Sequence, residues 1–189
     1  MNNVLNTSPN TLYGMVNENT LIKAKKIKLL VCDVDGVFSD GRIYLGNDGE
    51  ELKAFHTKDG FGIKALGSSG VAVAIITGRR SAIVAKRMAA LNVKHIIQGQ
   101  EDKLPALLTL AKELAVSLDE IAYIGDDIPD LPCIVEVGIG IAVQDAHPMV
   151  ITKADYTTFT RGGFGAVREV CDLIMQCHGS LDSATGASL

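Results

Sequence analysis

Asp33 and Asp35 stand two residues apart, directly behind the apolar run Ile27-Lys28-Leu29-Leu30-Val31-Cys32, and Gly36 follows them. In an extended chain, side chains at i and i+2 share one face, and glycine lets the backbone turn away at once. Two carboxylates at the end of a strand can share a hard cation, with one free to act as nucleophile or proton carrier. Standing alone, the same residues read equally as a strand running into an acidic, solvated turn. Other strand ends decide between the two. Thr77-Gly78-Arg79 follows the apolar run 71–76, and Gly125-Asp126-Asp127-Ile128-Pro129-Asp130 follows the run 121–124. Lys103 opens the helical stretch between them. In a parallel sheet these carboxyl ends lie on one edge, so distant residues converge there. Two acidic loops, a threonine and a lysine on one rim make a magnesium-dependent phosphoryl-transfer site.

The elements that must position these groups are written as alternating patterns. Strands are predicted at 27–32, 71–76, 94–97, 121–124 and 138–143. Helices are predicted at 20–26, 59–69, 81–91, 101–115 and 166–177, with Pro105 in the first turn of its helix, where proline is tolerated. Segments 42–45 and 50–56 flank an Asn47-Asp48-Gly49 tip, the pattern of a β-hairpin. Such alternation predicts an α/β domain, a doubly wound and mostly parallel sheet of the Rossmann type, with a hairpin at 42–56 in place of a large cap. The domain is expected to span 21–178. Residues 1–20 and 179–189 are polar or small and are read as a flexible lead-in and tail.

Composition narrows the function. With 189 residues, 47% hydrophobic and 21% charged, the chain fits a single globular core. A net charge of −4 argues against a general binder of nucleic acid or of anionic membranes. The four cysteines lack metal-site spacing, and Cys32 and Cys133 read as small buried apolar residues. Without a run long enough for a membrane span or a signal-peptide core, a cytoplasmic location is the expectation.

Taken in order, Asp33-x-Asp35, Thr77, Lys103 and Gly125-Asp126-Asp127-x-x-Asp130 resemble the four motifs of the haloacid dehalogenase superfamily of phosphotransferases, over roughly residues 27–145. The flanking segments extend the likeness: 33–41, 55–60, Thr77-Gly78-Arg79-Arg80-Ser81, and 161–169 with its Arg161-Gly162-Gly163 start. They resemble the 3-deoxy-D-manno-octulosonate 8-phosphate phosphatase family, which is tetrameric, small-capped, magnesium-dependent and serves lipopolysaccharide synthesis. The resemblance implies that Asp33 attacks phosphorus, forming an aspartyl-phosphate, and that Asp35 protonates the leaving alkoxide and then activates water. Thr77 and Lys103 would hold phosphoryl oxygens. Mg2+ would rest on Asp33, Asp126 and the backbone carbonyl of Asp35. The implied partners are a small anionic sugar phosphate and further copies of the chain, whose hairpins pack together and close each other's sites.

Several neighbours have a plain structural reading beside the functional one. Gly78 and Arg79, next to Thr77, would bind substrate, although Arg79 could equally form a surface ion pair. Arg87, two turns along, is more often simply solvated. His56, Lys58, Asp59 and Gly60 form a cluster that could face the pocket, and a lone histidine is usually structural. Arg161 would reach a neighbouring site, or belong to an ordinary turn before a helix. Asp127 and Asp130 are read as supporting residues, Asp130 orienting Lys103 or a metal-bound water and Asp127 either a metal neighbour or a cap for its turn. Phosphatases of nine-carbon keto-sugar acids share these motifs, and a catalytically silent oligomerisation module is the non-enzyme alternative.

Overall fold

The chain wraps helices around both faces of one twisted parallel sheet, as the alternation of patterns requires. The computed structural model describes residues 10–185. After β1 (Asn10–Thr11), β2 (Gly14–Met15) and α1 (Glu18–Ala24), the chain enters β3 (Leu29–Cys32), every residue of which is buried. A small hairpin, β4 (Tyr44–Leu45) and β5 (Glu51–Leu52), leads to α2 (Thr57–Ser68), β6 (Ala72–Thr77), α3 (Ala82–Ala90) and β7 (His95–Gln98). The return half comprises α4 (Lys103–Glu113), β8 (Ile121–Gly125), α5 (Leu131–Glu136), β9 (Ile139–Ala142), α6 (Pro148–Lys153), β10 (Tyr156–Thr157) and α7 (Ala166–His178).

The strand order is β10-β9-β8-β3-β6-β7, all parallel. From β3 the chain winds outward through β6 and β7, then returns to the other side of β3 with β8. That reversal is the topological switch point, where open α/β sheets bind ligands beyond their carboxyl ends. The Asp33 amide donates to the carbonyl of Ile124 at 3.0 Å, joining the two acidic strand ends. Helices α1 and α2 each pack on α7, while α4 and α5 pack together and against the sheet. The four cysteines are free, and Cys32, Cys133 and Cys171 are buried among apolar side chains. No helix among the described residues is long and apolar enough to cross a membrane.

Several expectations need correction. The part of the lead-in that is described, residues 10–20, is folded: β1 and β2 pair as a hairpin, Val16 is buried, and the Tyr13 hydroxyl donates to Asp172 on α7 at 2.7 Å. A contact across 159 positions leaves no local pattern to read. The described tail also turns back, with Gly179 at φ +69° ending α7 and Leu181 packed against the core. Residues 1–9 and 186–189 lie outside the described residues. Helices α5 and α6 and strand β10 were not predicted, since each has at most six residues and shows no period. The hairpin within 42–56 pairs only two residues per strand.

Candidate active site

The turn after β3 sets the site. Val34 accepts hydrogen bonds from the amides of Val37, Phe38 and Ser39, so the chain curls back immediately beyond Asp33. Gly36 makes the curl possible at φ +95°, where a Cβ would stand 2.1 Å from Oδ2 of Asp126. From the far side, the 161–163 segment clamps the same turn. Gly163 N donates to Val37 O at 2.8 Å, and a Cβ on Gly162 would lie 1.7 Å from Gly36 O.

Asp33 is buried, and its Oδ1 lies 2.8 Å from the Lys103 ammonium. Lys103 is likewise buried and makes a second ion pair with Asp130 at 2.6 Å. Burial alone would push the Lys103 ammonium down, but the charges of Asp33 and Asp130 outweigh it and hold it above its ordinary range. Asp130 is itself saturated. Its Oδ1 accepts from Lys103 and from the Tyr123 hydroxyl at 2.7 Å, and its Oδ2 from the amides of Asp126 and Asp127. The residue therefore fixes the lysine and the acidic loop. Asp127 is exposed and its carboxylate accepts from Ile128 N at 2.8 Å, the turn-capping alternative. Thr77 is buried at the end of β6, on the same edge.

Carboxylate oxygens of Asp33, Asp126 and Asp130 lie within 4.8 Å of one another. One ammonium faces three carboxylates, and the imbalance registers in the acidity of Asp33 and Asp126. Burial, then the Asp130 charge, raises Asp33 to about 6 against the pull of Lys103. Burial and the charges of Asp33 and Asp130 raise Asp126 to about 8. A hard divalent cation answers that excess, and because the Asp130 oxygens are committed, Asp33 and Asp126 are the carboxylates placed to hold it. The residues present fit magnesium.

Asp35 is not part of this cluster. Its carboxylate turns toward the hairpin, where Oδ1 is paired with the Lys53 ammonium and receives Ser39 Oγ at 3.4 Å, while Arg79 Nε lies 3.9 Å from Oδ2. Arg79 is also 3.2 Å from Glu51 on β5, so it is tied across the mouth of the site. Two residues with a part in this geometry were missed from sequence. Lys53 lay inside a hairpin read only as a shape, although Glu51 and Lys53, two apart, must share a face. Tyr123 lay inside a buried strand, where a phenol must find a partner. That need was the available signal.

The other predicted residues lie at the start of α2, on α3 and in the 161–163 segment. His56 caps α2, its Nδ1 accepting from Lys58 N at 3.1 Å. Lys58 is exposed and Gly60 buried. Arg161 is largely exposed, bonded to Asp145 at 3.1 Å and stacked over Phe164. Arg87 lies on α3, its charge acting on Asp59. Asp59 turns into the α2–α7 packing, where Oδ1 accepts from Arg168 N at 2.8 Å and Oδ2 is buried without a partner. The sequence could not show that the first turn of α7 sits over it.

That burial raises the Asp59 carboxyl to about 7, against the opposing Arg168 amide and the charges of Arg168, Arg87 and Lys58. The native state therefore holds this proton more tightly than the unfolded chain, whose carboxyl titrates near ~3.9. The associated stability is complete below about pH 4, declines as pH rises, and is lost above about pH 7. Asp59→Asn should flatten that decline, melting a few degrees above the wild type at pH 8 and not at pH 4. An equal difference in melting temperature at both pH values would contradict the assignment.

Residues 92–167 match the haloacid dehalogenase-like hydrolase family. The 3-deoxy-D-manno-octulosonate 8-phosphate phosphatase of Salmonella typhi is 51% identical over 179 residues, which cover 95% of each chain. A crystal structure of the phosphatase of that name from Yersinia pestis superposes with a TM-score of 0.94 at 50% identity, covering 96% of this chain and 98% of that one. The Moraxella catarrhalis phosphatase, crystallised with magnesium, phosphate and KDO, gives a TM-score of 0.86 at 49% identity, covering 88% and 97%.

Proposed function

Since the chain belongs to the 3-deoxy-D-manno-octulosonate 8-phosphate phosphatase family of haloacid dehalogenase-like hydrolases, we propose that it hydrolyses that ester to the free keto-sugar acid and inorganic phosphate. The reaction supplies a lipopolysaccharide precursor. One observation carries the reading: a buried aspartate at the switch point has one oxygen held by lysine and stands beside a second, charge-starved carboxylate.

With Oδ1 of Asp33 taken by Lys103, Oδ2 is the oxygen that attacks phosphorus. The phosphorus–oxygen bond to the sugar then breaks, and the departing alkoxide takes the proton carried by Asp35. Water next attacks the aspartyl-phosphate and gives its proton to Asp35, and the phosphorus bond to Asp33 breaks to release phosphate. Lys103 keeps an N–H beyond its two ion pairs for a phosphoryl oxygen, and Thr77 supplies a hydroxyl to another. Asp33, Asp126 and the Asp35 carbonyl would hold magnesium, which would supply the positive charge needed between carboxylate and phosphate. The substrate carboxylate at the other end needs cations or backbone donors, and we assign that contact to Gly78 and Arg79 after Thr77, to His56 and Lys58 at the start of α2, to Arg87 on α3 and, from a neighbouring subunit, to Arg161. For Asp59 and Gly60, both buried, the part is indirect, through the start of α2.

We further infer a cytoplasmic homotetramer assembled through the hairpins. The support is chemical: Tyr44, Leu45 and Leu52 are 48%, 72% and 62% exposed on an element too short to stand alone. The test of function is phosphate release from a panel of sugar phosphates. Release should prefer the eight-carbon keto-acid phosphate, stop on chelation and return with magnesium. Preference for a nine-carbon analogue would keep the chemistry and change the substrate. A folded, magnesium-loaded protein that releases phosphate from no member would be the silent module instead.

A further inference from the structure

The hairpin does more than offer apolar side chains to a neighbour, because its second strand sends a cation inward. In β5 and the residue beyond it, Leu52 points to solvent while Glu51 and Lys53 face the site. The Lys53 side chain is completely buried, which is costly for an ammonium unless carboxylates surround it. Two do: Asp35, in direct contact, and Glu51 at 3.4 Å. Arg79 closes the group by contacting the remaining Asp35 oxygen and the other oxygen of Glu51. Ser81 Oγ also donates to Glu51 at 3.4 Å. Four charged side chains thus join the hairpin, the turn after β3 and the turn after β6.

We propose that Lys53 is a positioning residue for catalysis, holding the Asp35 carboxylate by Oδ1 so that Oδ2 alone faces the substrate. Donor chemistry gives the step its direction. A lysine ammonium only donates, and Ser39 Oγ donates to the same oxygen, so Oδ1 is always an acceptor. That leaves Oδ2, with only Arg79 Nε at 3.9 Å, as the oxygen open to a substrate atom. Without Lys53, the carboxylate can rotate and present either oxygen, and the hairpin loses its firmest tie to the site. Arg79 does not replace it, being half exposed and 3.9 Å from Oδ2. The sequence offered Lys53 only as part of a hairpin, and the general-acid role of Asp35 assumed in the proposal rests on the phosphatase reading above.

The test is a double-mutant cycle on the full-length enzyme with the eight-carbon sugar phosphate. Lys53→Met should lower kcat by about 10²-fold and move KM by less than about threefold, since a positioned acid contributes about 10²–10⁴. Lys53→Arg, which keeps a cation, should recover part of the loss. In an Asp35→Asn background, Lys53→Met should cost less than about threefold more, because the group it positions is already absent. Unchanged kcat in Lys53→Met, or losses that multiply in the double mutant, would overturn the proposal. Should Lys53→Met not fold, the same comparison with Lys53→Arg decides, full independence of the two substitutions again refuting it. A wild-type enzyme inactive on every sugar phosphate would instead remove the phosphatase reading, and this proposal with it.

Discussion

Asp33→Asn is expected to abolish phosphate release while leaving the fold at least as stable as the wild type. Both halves follow from the surroundings of this one carboxylate. The amide keeps the shape of the side chain and an oxygen for the Lys103 ammonium, now at 2.8 Å from Oδ1. Lys103 also retains Asp130, so no buried charge is left unpaired. The substitution removes a negative charge that helps push the Asp126 carboxyl up, and this relief should leave the melting temperature equal or a few degrees higher. An amide is no nucleophile toward phosphorus, so kcat should fall by about 10⁴-fold or more. The checks are phosphate release at high enzyme concentration and a thermal melt of the same sample. Residual activity within about 10²-fold of wild type, in a sample of normal stability, would rule out Asp33 as the nucleophile.

The second large effect belongs to a residue with no chemistry. Gly162→Ala would place a methyl group 1.7 Å from the Gly36 carbonyl oxygen, with Val143 Cγ2 at 3.5 Å on another side. The clash is with backbone, so either the Gly36 turn or the 161–163 segment must move. The segment also holds its position through Gly162 N to Asp145 and Gly163 N to Val37 O, which retreat would break. We expect a loss of about 4 kcal/mol or more, the range reserved for strain of this kind, and a melting temperature lower by about 10 °C. Turnover should fall by about 10²-fold in whatever remains folded, because the displaced turn carries Asp35. Gly67→Ala is the control. Nothing lies within 4 Å of its Cβ position in α2, and alanine is the better helix former, so the melting temperature should hold or rise. A Gly162→Ala protein with wild-type stability would show that the 161–163 segment does not clamp the turn.

How far the sequence speaks for itself varies with the distance over which a signal acts. The buried strands β3, β6 and β8 are legible because each is a local apolar run, and the groups that follow them stand at their ends. The pairing of Lys103 with Asp33 follows from a parallel sheet, which gathers carboxyl ends on one edge. The direction of a single side chain is another matter. Asp33 and Asp35, expected to share one face, part company because the turn at Gly36 begins at once, and Asp35 finds a lysine eighteen positions away. Asp59 lies two residues into a helix whose other face could equally have met the pocket, and the amide of Arg168, 109 positions on, decides its place. Glu169 is similar. Fully buried on α7, it gathers the Tyr156 hydroxyl and the amides of Phe159 and Thr160, a partnership invisible before the chain has folded.

The central place of β3 has a consequence for how the protein is made. Its outward neighbour β6 follows soon after in the chain, but β8, the other neighbour, begins only at Ile121. At about 5–20 residues per second, roughly 90 residues of synthesis pass between the end of β3 and the arrival of β8, a delay of several seconds. Throughout it, the most apolar strand of the nascent chain has a bare edge of unpaired amides and carbonyls, the template on which chains pair with one another. The order that puts two acidic loops side by side thus gives the newborn chain its most aggregation-prone interval, and slowing translation before residue 121 should lower the yield of folded enzyme.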